Sequence, residues 1–189
     1  LLGNKYKFDF VITEIGGTVG DIESLPYLES IRQLKRELGR NALCVHLTYV
    51  PFLAAAKELK TKPTQHSVKE LQSVGIQPDI LVLRSEHELN MTLRKKVALF
   101  CNVDETAVVQ SVDMPTIYEV PLRMLEQELD KTILSKMGLP IEGEPNLDSW
   151  KKFLELRHSA TEEVKIALVG KYVELQDAYK SILESLSQA

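Results

Sequence analysis

Residues 13–24, Thr-Glu-Ile-Gly-Gly-Thr-Val-Gly-Asp-Ile-Glu-Ser, form the stretch from which the fold is inferred. An apolar run, Phe8 to Ile12, precedes the stretch and predicts a buried strand. A segment with helical spacing, Leu25 to Leu38, follows it and ends at Gly39. A strand, a glycine-rich turn and a helix in this order are typical of an α/β protein that presents its chemistry at the carboxyl end of a strand.

Strand and helix patterns continue to alternate after this first unit. Further buried strands are predicted at 41–50, 80–83 and 107–109, and further helices at 68–74, 90–101 and 121–138. Residues 61–67 show no hydrophobic periodicity and are predicted to form a loop. Repeated alternation with short links predicts a mostly parallel sheet with helices on both faces.

The pattern changes at residues 138–145, where two prolines and two glycines mark a boundary. A short helix is predicted at 147–158, then a buried strand at 164–172 and a helix at 177–186. We expect a first, partial domain at 1–140, a linker with a short helix at 141–163, and the start of a second domain at 164–189. The last piece is too short to fold alone.

Composition limits the class of protein. Hydrophobic residues make up 44% and charged residues 26% of the 189 residues, as in ordinary globular proteins. The net charge of −4 gives no support for a nucleic-acid surface, and no apolar run is long enough to predict a membrane span. Cys44 and Cys101 are far apart among apolar residues and are predicted to be buried free thiols, typical of a reducing compartment.

Three carboxylates in the opening stretch are candidate ligands. Glu14 follows the predicted strand, where one carboxylate could anchor Mg²⁺ while substrate phosphates complete its shell. Asp21 and Glu23 lie beside a helix start and could accept sugar hydroxyls. Solvation of Glu14, and capping of the helix by Asp21 and Glu23, are the simpler alternatives.

A basic segment supplies the second candidate site. Lys60 and Lys62 flank Thr61, and with Gln65 they offer donors suited to a polyphosphate. Plain solvation is the usual alternative for such lysines, and for Lys96 on a predicted helix face. The glycines at 16, 17 and 20 are not followed by Lys-Ser or Lys-Thr, so they do not form a Walker A loop.

Both candidate segments resemble signatures of the CTP synthase family. The first is Glu14-Ile15-Gly16-Gly17-Thr18-Val19-Gly20-Asp21-Ile22-Glu23-Ser24, and the second is Lys60-Thr61-Lys62-Pro63-Thr64-Gln65-His66-Ser67-Val68. Shorter matches follow in the same order as in the family: Arg84-Ser85, 98–101, 169–172 and 177–181. The resemblance covers essentially the whole chain. It implies a P-loop-type synthetase (amidoligase) domain, followed by the first βα unit of a class I glutamine amidotransferase domain.

The resemblance also implies the role of each matched residue. Glu14 corresponds to an Mg²⁺ ligand of the family. The implied UTP and CTP contacts are Asp21, Ile22, Glu23, Lys60, Thr61, Lys62, Pro63, Thr64, Gln65 and Lys96. The implied ATP contacts are Val112, Asp113 and Met114. Val112 departs from the family, which often has a basic residue there, and this affects ATP binding only if a side chain makes the contact.

The family converts UTP to CTP with ATP and with ammonia from glutamine, in the cytoplasm, as a homotetramer without nucleic-acid or membrane partners. By the resemblance, the phosphate-binding loop would precede Leu1 and the glutaminase residues would follow Ala189. We therefore expect an interior piece of a ligase of pyrimidine biosynthesis that is inactive alone, and we assign no catalytic residue to it. Two alternatives are a non-catalytic nucleotide-binding or assembly module, and a related P-loop amide ligase with a different substrate.

Overall fold

The structure, a computed structural model, describes residues 2–188, apart from the side chains of Leu2, Asn4 and Gln176. The chain divides into two compact units between Glu142 and Gly143. Within the described residues, the α-helices are α1 (Leu2–Tyr6), α2 (Leu25–Leu38), α3 (Lys62–Ser73), α4 (Met91–Cys101), α5 (Val120–Glu126), α6 (Leu129–Met137), α7 (Asp148–Ser159) and α8 (Lys180–Gln188). The strands are β1 (Val45–Tyr49), β2 (Phe52–Leu53), β3 (Glu58–Leu59), β4 (Ile80–Ser85) and β5 (Val108–Val112).

A parallel three-stranded sheet with the order β1-β4-β5 forms the centre of the first unit. Val82 of β4 lies opposite Leu47 on one side and Val109 on the other. Because side chains alternate along a strand, the sheet has two faces to cover. Helices α3 and α4 cover one face, whereas α5 and α6 pack on β4 and β5 of the other face and leave Leu47 of β1 63% exposed. The α/β fold predicted from the sequence is therefore confirmed.

The two faces carry separate apolar cores. On the α3–α4 face, Leu81 and Leu83 pack with Val68 and Val97, all nearly inaccessible to solvent. On the other face, the core contains Val82 and Val109 and partly buried side chains of α5 and α6, among them Met124, Leu129 and Ile133. Burying side chains of this size contributes about 2 kcal/mol each, so the central strand β4 is the best-stabilised part of the sheet.

Helix α2 spans Leu25–Leu38 with Gly39 as its C-cap residue, as predicted. Gly39 has a φ of 55°, which a residue with a Cβ adopts at a cost. The helix packs against α3 through Leu28 and Leu71. It therefore buries one narrow stripe, which packs against α3.

Two helix boundaries differ from the predictions. The predicted loop at 61–67 is wrong from Lys62 onward, because α3 begins there. Pro63 lies in the first turn of α3, where the N–H group that proline lacks would have no intrahelical partner. The single helix predicted at 121–138 is two helices. Gln127 and Glu128 separate α5 from α6, and Glu128 has a φ of 54°, which is incompatible with a continuous α-helix.

Two predicted buried strands are wrong. Residues 8–12 and 164–172 form no strand, and Ile12 and Val169 are 96% and 93% exposed. Their apolar composition favours a strand, but a strand also needs a hydrogen-bonded neighbour. Within residues 2–188 neither segment pairs with another strand, so both remain irregular.

In the second unit, α7 and α8 are joined by a hydrogen bond of 2.9 Å from Arg157 Nη1 to the carbonyl of Ser187. Among the described residues of this unit, Leu154 on α7 is the apolar residue that is buried. The domain identities assigned from the sequence stay predictions. No helix within residues 2–188 is long and apolar enough to cross a membrane.

Candidate functional site

The carboxyl ends of the three parallel strands meet at one edge of the sheet. There the Tyr49 hydroxyl donates to Glu86 Oε1 at 3.2 Å, and Arg84 Nε donates to Asp113 Oδ1 at 3.1 Å. These contacts join the end of β1 to the loop after β4, and the end of β4 to the residue after β5. Ligands of parallel α/β sheets bind at this edge, so it is the candidate site.

Residues 60–65, predicted to bind UTP and CTP, lie at this edge. The Lys60 amide donates to the Pro51 carbonyl at 2.9 Å, which fixes the segment just beyond the end of β1. Lys62 is exposed at the start of α3, where the first N–H groups of the helix have no intrahelical partner. Lysines beside free helical N–H groups are a suitable environment for phosphate oxygens.

The side chains within this segment have different tasks. Lys60 Nζ is ion-paired with Glu58, so an anion would have to compete with that carboxylate. Gln65 Nε2 donates to Thr61 Oγ1 at 3.1 Å. Thr61 and Thr64 are buried, and their hydroxyls are held inside the fold. Any contact that these two threonines make with a ligand would therefore come from the backbone.

A buried polar layer joins β1 to α3 behind the lysines. His46 Nε2 lies 2.9 Å from Ser67 Oγ, and Thr48 Oγ1 lies 3.1 Å from Thr64 Oγ1. Burial lowers the pKa of His46. His46 is thus a buried histidine with a hydrogen-bond partner. Thr48 was not identified from the sequence, although a polar residue in a largely apolar segment was the available signal.

The glycine-rich turn is closed by Asp21. Asp21 Oδ2 accepts from the Thr18 amide at 2.8 Å, and Ser24 Oγ donates to the Asp21 carbonyl at 2.8 Å. Gly17 has a φ of 82°, and a Cβ there would lie 3.0 Å from Asp21 Oδ2. The Asp21 carboxylate therefore holds the turn, while Ile22 and Glu23 beside it are exposed.

The structure does not bring this turn to residues 60–65. Val19 of the turn packs against the apolar cluster that includes Leu71 in the last turn of α3, whereas Lys62 lies in the first turn of α3. At 1.5 Å per residue, α3 is about 18 Å long. The two segments thus lie at opposite ends of one helix. Lys96, the remaining predicted UTP contact, is exposed on α4.

Glu14 is exposed in an irregular segment of the chain. Among the described residues, no group of three or more His, Cys, Asp or Glu side chains is close enough to hold a metal ion. Glu14 therefore suits Mg²⁺ only as a single carboxylate ligand. Mg²⁺ often binds proteins through one or two carboxylates while water and substrate phosphates complete its shell.

The predicted ATP segment ends β5 at the same edge as Lys60. Val112 is the last residue of β5, and the Asp113 amide donates to the Ser85 carbonyl at 2.9 Å. Arg84, on the neighbouring strand, forms a solvent-exposed ion pair with Asp113, and exposed ion pairs contribute little to the stability of a fold. Arg84 was identified from the sequence only as part of a short family match, although a charge directly after the apolar residues of β4 was a usable signal.

A pocket of about 380 Å³ lies at the opposite edge of the sheet. Its lining includes Lys35, Arg40, Asp79 and Lys136. Asp79 directly precedes β4, pairs with Lys35 and accepts from the Cys44 amide. Because this pocket adjoins the amino ends of the strands, it is separate from the candidate site.

The family model described as CTP synthase N-terminus matches residues 2–139. Over all 189 residues, the chain is 82% identical to a CTP synthase of Bacteroides fragilis and covers 36% of that protein. It is also 78% identical to a CTP synthase of Bacteroides thetaiotaomicron and 61% identical to one of Christiangramia forsetii, and it covers 35% of each. The chain thus spans about a third of the length of these relatives.

Proposed function

The chain belongs to the CTP synthase family, and on this premise we propose that it supplies nucleotide and metal contacts for the ATP-dependent amination of UTP to CTP. Its length, about a third of that of its relatives, supports a role as one part of a larger enzyme, called the intact enzyme below. We propose that the chain alone is inactive, that the intact enzyme is cytoplasmic, and that its ammonia comes from glutamine.

The proposed chemistry activates a poor leaving group. The C4 oxygen of UTP accepts the γ-phosphoryl group of ATP, and ADP leaves. Ammonia then adds at C4 and phosphate leaves, which gives CTP. Phosphoryl transfer depends mainly on in-line positioning and on neutralising charge, so lysines and a metal-binding carboxylate are the residue types that the reaction needs.

The observation that carries the proposal is the position of residues 60–65. They lead from β3 into the first turn of α3, with Lys62 exposed and the Lys60 amide bonded to the Pro51 carbonyl just beyond β1. At the same edge, β5 ends in Val112 and Asp113. We propose that the first segment binds the triphosphate of UTP or CTP and that the second contacts ATP.

Glu14 is proposed as one Mg²⁺ ligand, with nucleotide phosphates supplying others. When bound, Mg²⁺ would neutralise charge on the phosphates. The residues of the turn, Asp21, Ile22 and Glu23, lie at the other end of α3 from Lys62. This separation supports a pyrimidine-nucleotide site completed by a second copy of the chain, as in a homotetramer, with Lys96 as a further contact.

The test is removal of the lysine charge at the start of α3. In the intact enzyme, Lys62→Ala is expected to raise the KM for UTP and to weaken inhibition by CTP by about tenfold or more, because a charge-assisted contact to phosphate contributes about 1.5–3 kcal/mol. The measurement is steady-state kinetics with UTP varied, with and without CTP.

Lys69→Ala is the matched control, since Lys69 is exposed on the same helix but outside the segment. An unchanged KM in Lys62→Ala would remove this segment from the nucleotide site. If the isolated chain bound CTP but the intact enzyme formed none, the chain would instead be a non-catalytic nucleotide-binding module.

A further inference from the structure

The polar layer between β1 and α3 lies directly behind the proposed phosphate-binding segment. Thr64 is completely buried, and its Oγ1 lies 3.3 Å from the Tyr49 carbonyl, to which it donates. A hydroxyl has one proton, so the 3.1 Å contact between Thr48 and Thr64 must use the proton of Thr48. Thr64 is therefore held by two successive residues of β1, as an acceptor from one and a donor to the other.

A second polar contact lies one turn further along α3, where Ser67 meets His46 at 2.9 Å. Much of the same sheet face is apolar: Leu81, Leu83 and Val108 pack there with α4 residues such as Val97. Apolar contacts tolerate small sliding movements, whereas hydrogen bonds require particular distances and angles. The two polar pairs thus fix the rotation and the translation of α3 against β1 more tightly than apolar pairs would.

This register controls the position of Lys62 relative to Lys60. Lys62 is the first residue of α3, and the Lys60 amide is tied to Pro51 just after β1. A shift of α3 along β1 would move Lys62 and the first helical N–H groups relative to Lys60. Misplacement of binding groups by about 1 Å is enough to cost a large factor in rate.

We propose that Thr48 and His46 are positioning residues, which act through Thr64 and Ser67 to set the register of α3 and so to place Lys60 and Lys62 on the phosphates of the nucleotide. The proposal rests on the proposed function of residues 60–65. It assigns no contact with the nucleotide to Thr48 or His46, both of which are buried. Buried polar residues that specify one arrangement of packed elements have precedent in other proteins.

The test compares Thr48→Val with Thr48→Ser in the intact enzyme. Valine has nearly the shape of threonine but cannot donate to Thr64, whereas serine keeps the hydroxyl. Thr48→Val is expected to raise the KM for UTP by roughly tenfold with little change in kcat, and Thr48→Ser to restore the KM. Hydrogen exchange of the amides of residues 65–68 is expected to quicken in Thr48→Val and not in Thr48→Ser.

Leu71→Ala is the control for general destabilisation, because Leu71 is buried in the last turn of α3, away from the lysines. It is expected to lower stability and leave the KM for UTP unchanged. A KM within about twofold of the wild type in Thr48→Val would overturn the proposal, and so would an equal rise in Leu71→Ala. If Lys62→Ala does not affect UTP binding, the proposed function of residues 60–65 fails. Whether the polar layer between β1 and α3 positions α3 is tested separately: unchanged hydrogen exchange in Thr48→Val would reject that role.

Discussion

At the scale of single residues, burial decides which polar groups are available for chemistry. Thr61 and Thr64 match a nucleotide-binding signature by position, yet both are buried, and Thr64 is held by β1. Lys62 is exposed in the same segment. A sequence motif therefore combines residues that contact a ligand with residues that hold the contacting ones in place, and only their environments separate the two kinds.

The two cysteines lead to a prediction about reactivity. Burial raises the pKa of the Cys101 thiol to about 11 and also raises the pKa of Cys44, where the nearby Lys35 opposes the shift. The thiolate is the reactive form, so at pH 8 Cys101 is expected to react with iodoacetamide about 100-fold more slowly than an unfolded cysteine. Mass spectrometry of the alkylated chain, with and without urea, measures this ratio.

Cys101→Ser isolates the partly exposed Cys44 and serves as the comparison in the same experiment. We expect Cys44 to react faster than Cys101, but still more slowly than in urea. Equal rates for Cys101 in native and denaturing buffer would contradict the burial of its thiol.

At the scale of elements, α4 shows how a local signal fixes a boundary. Asn90 is its N-cap, and Asn90 Oδ1 accepts from the Leu93 amide at 2.9 Å. Asn90→Ala is expected to lower the free energy of unfolding by about 1 kcal/mol, because one helical N–H group loses its partner. Urea denaturation followed by circular dichroism gives this difference.

Asn90→Asp keeps an acceptor at the cap and is the matched control, with an expected change near zero. A loss of stability in Asn90→Asp as large as in Asn90→Ala would show that the side-chain acceptor is not what Asn90 contributes.

Asn102, the C-cap at the other end of α4, has a φ of 53°, so Asn102→Gly is expected to be tolerated.

Local signals predicted the elements whose ends are set locally. Residues 25–38 show helical spacing and end at a glycine, and the structure has the same helix. The start of α3 was missed because residues 62–67 lack an apolar stripe. The side chains there that contact β1 are the hydroxyls of Thr64 and Ser67. The sequence predicted the segments of the candidate site, 60–65 and 112–114, one by one. That both lie at one edge of the sheet depends on the strand order, which a single sequence does not specify.

Residues 8–12 show the limit of composition as evidence. The run is apolar enough for a buried strand, and the structure leaves it exposed and irregular. Periodicity reports which side chains would be buried, whereas strand formation depends on a partner that can be distant in sequence. The same reasoning applies to 164–172, where the predicted strand also lacks a partner within the described residues.

At the scale of the whole molecule, the two compact units differ in regular structure. The first unit contains the sheet with helices on both of its faces. In the second unit, residues 160–175 form no helix or strand and are exposed throughout. Segments with few buried contacts open at low free-energy cost, so the chain should be unequally susceptible to proteases.

Limited proteolysis of the chain with trypsin tests this inequality. Cleavage after Lys165 and Lys171 is expected first, because a protease needs an extended, accessible backbone and both residues lie in the irregular segment. The basic residues of α2, α3 and α4 are expected to be cleaved far more slowly, since cutting there requires the sheet unit to open. Mass spectrometry of a time course identifies the first products.

Lys165→Gln together with Lys171→Gln should preserve the chain through the early time points. Early cleavage within α2, α3 or α4 would show instead that the sheet unit opens as readily as the irregular segment, and the nucleotide site proposed at its edge would then lack the rigid support that binding a triphosphate requires.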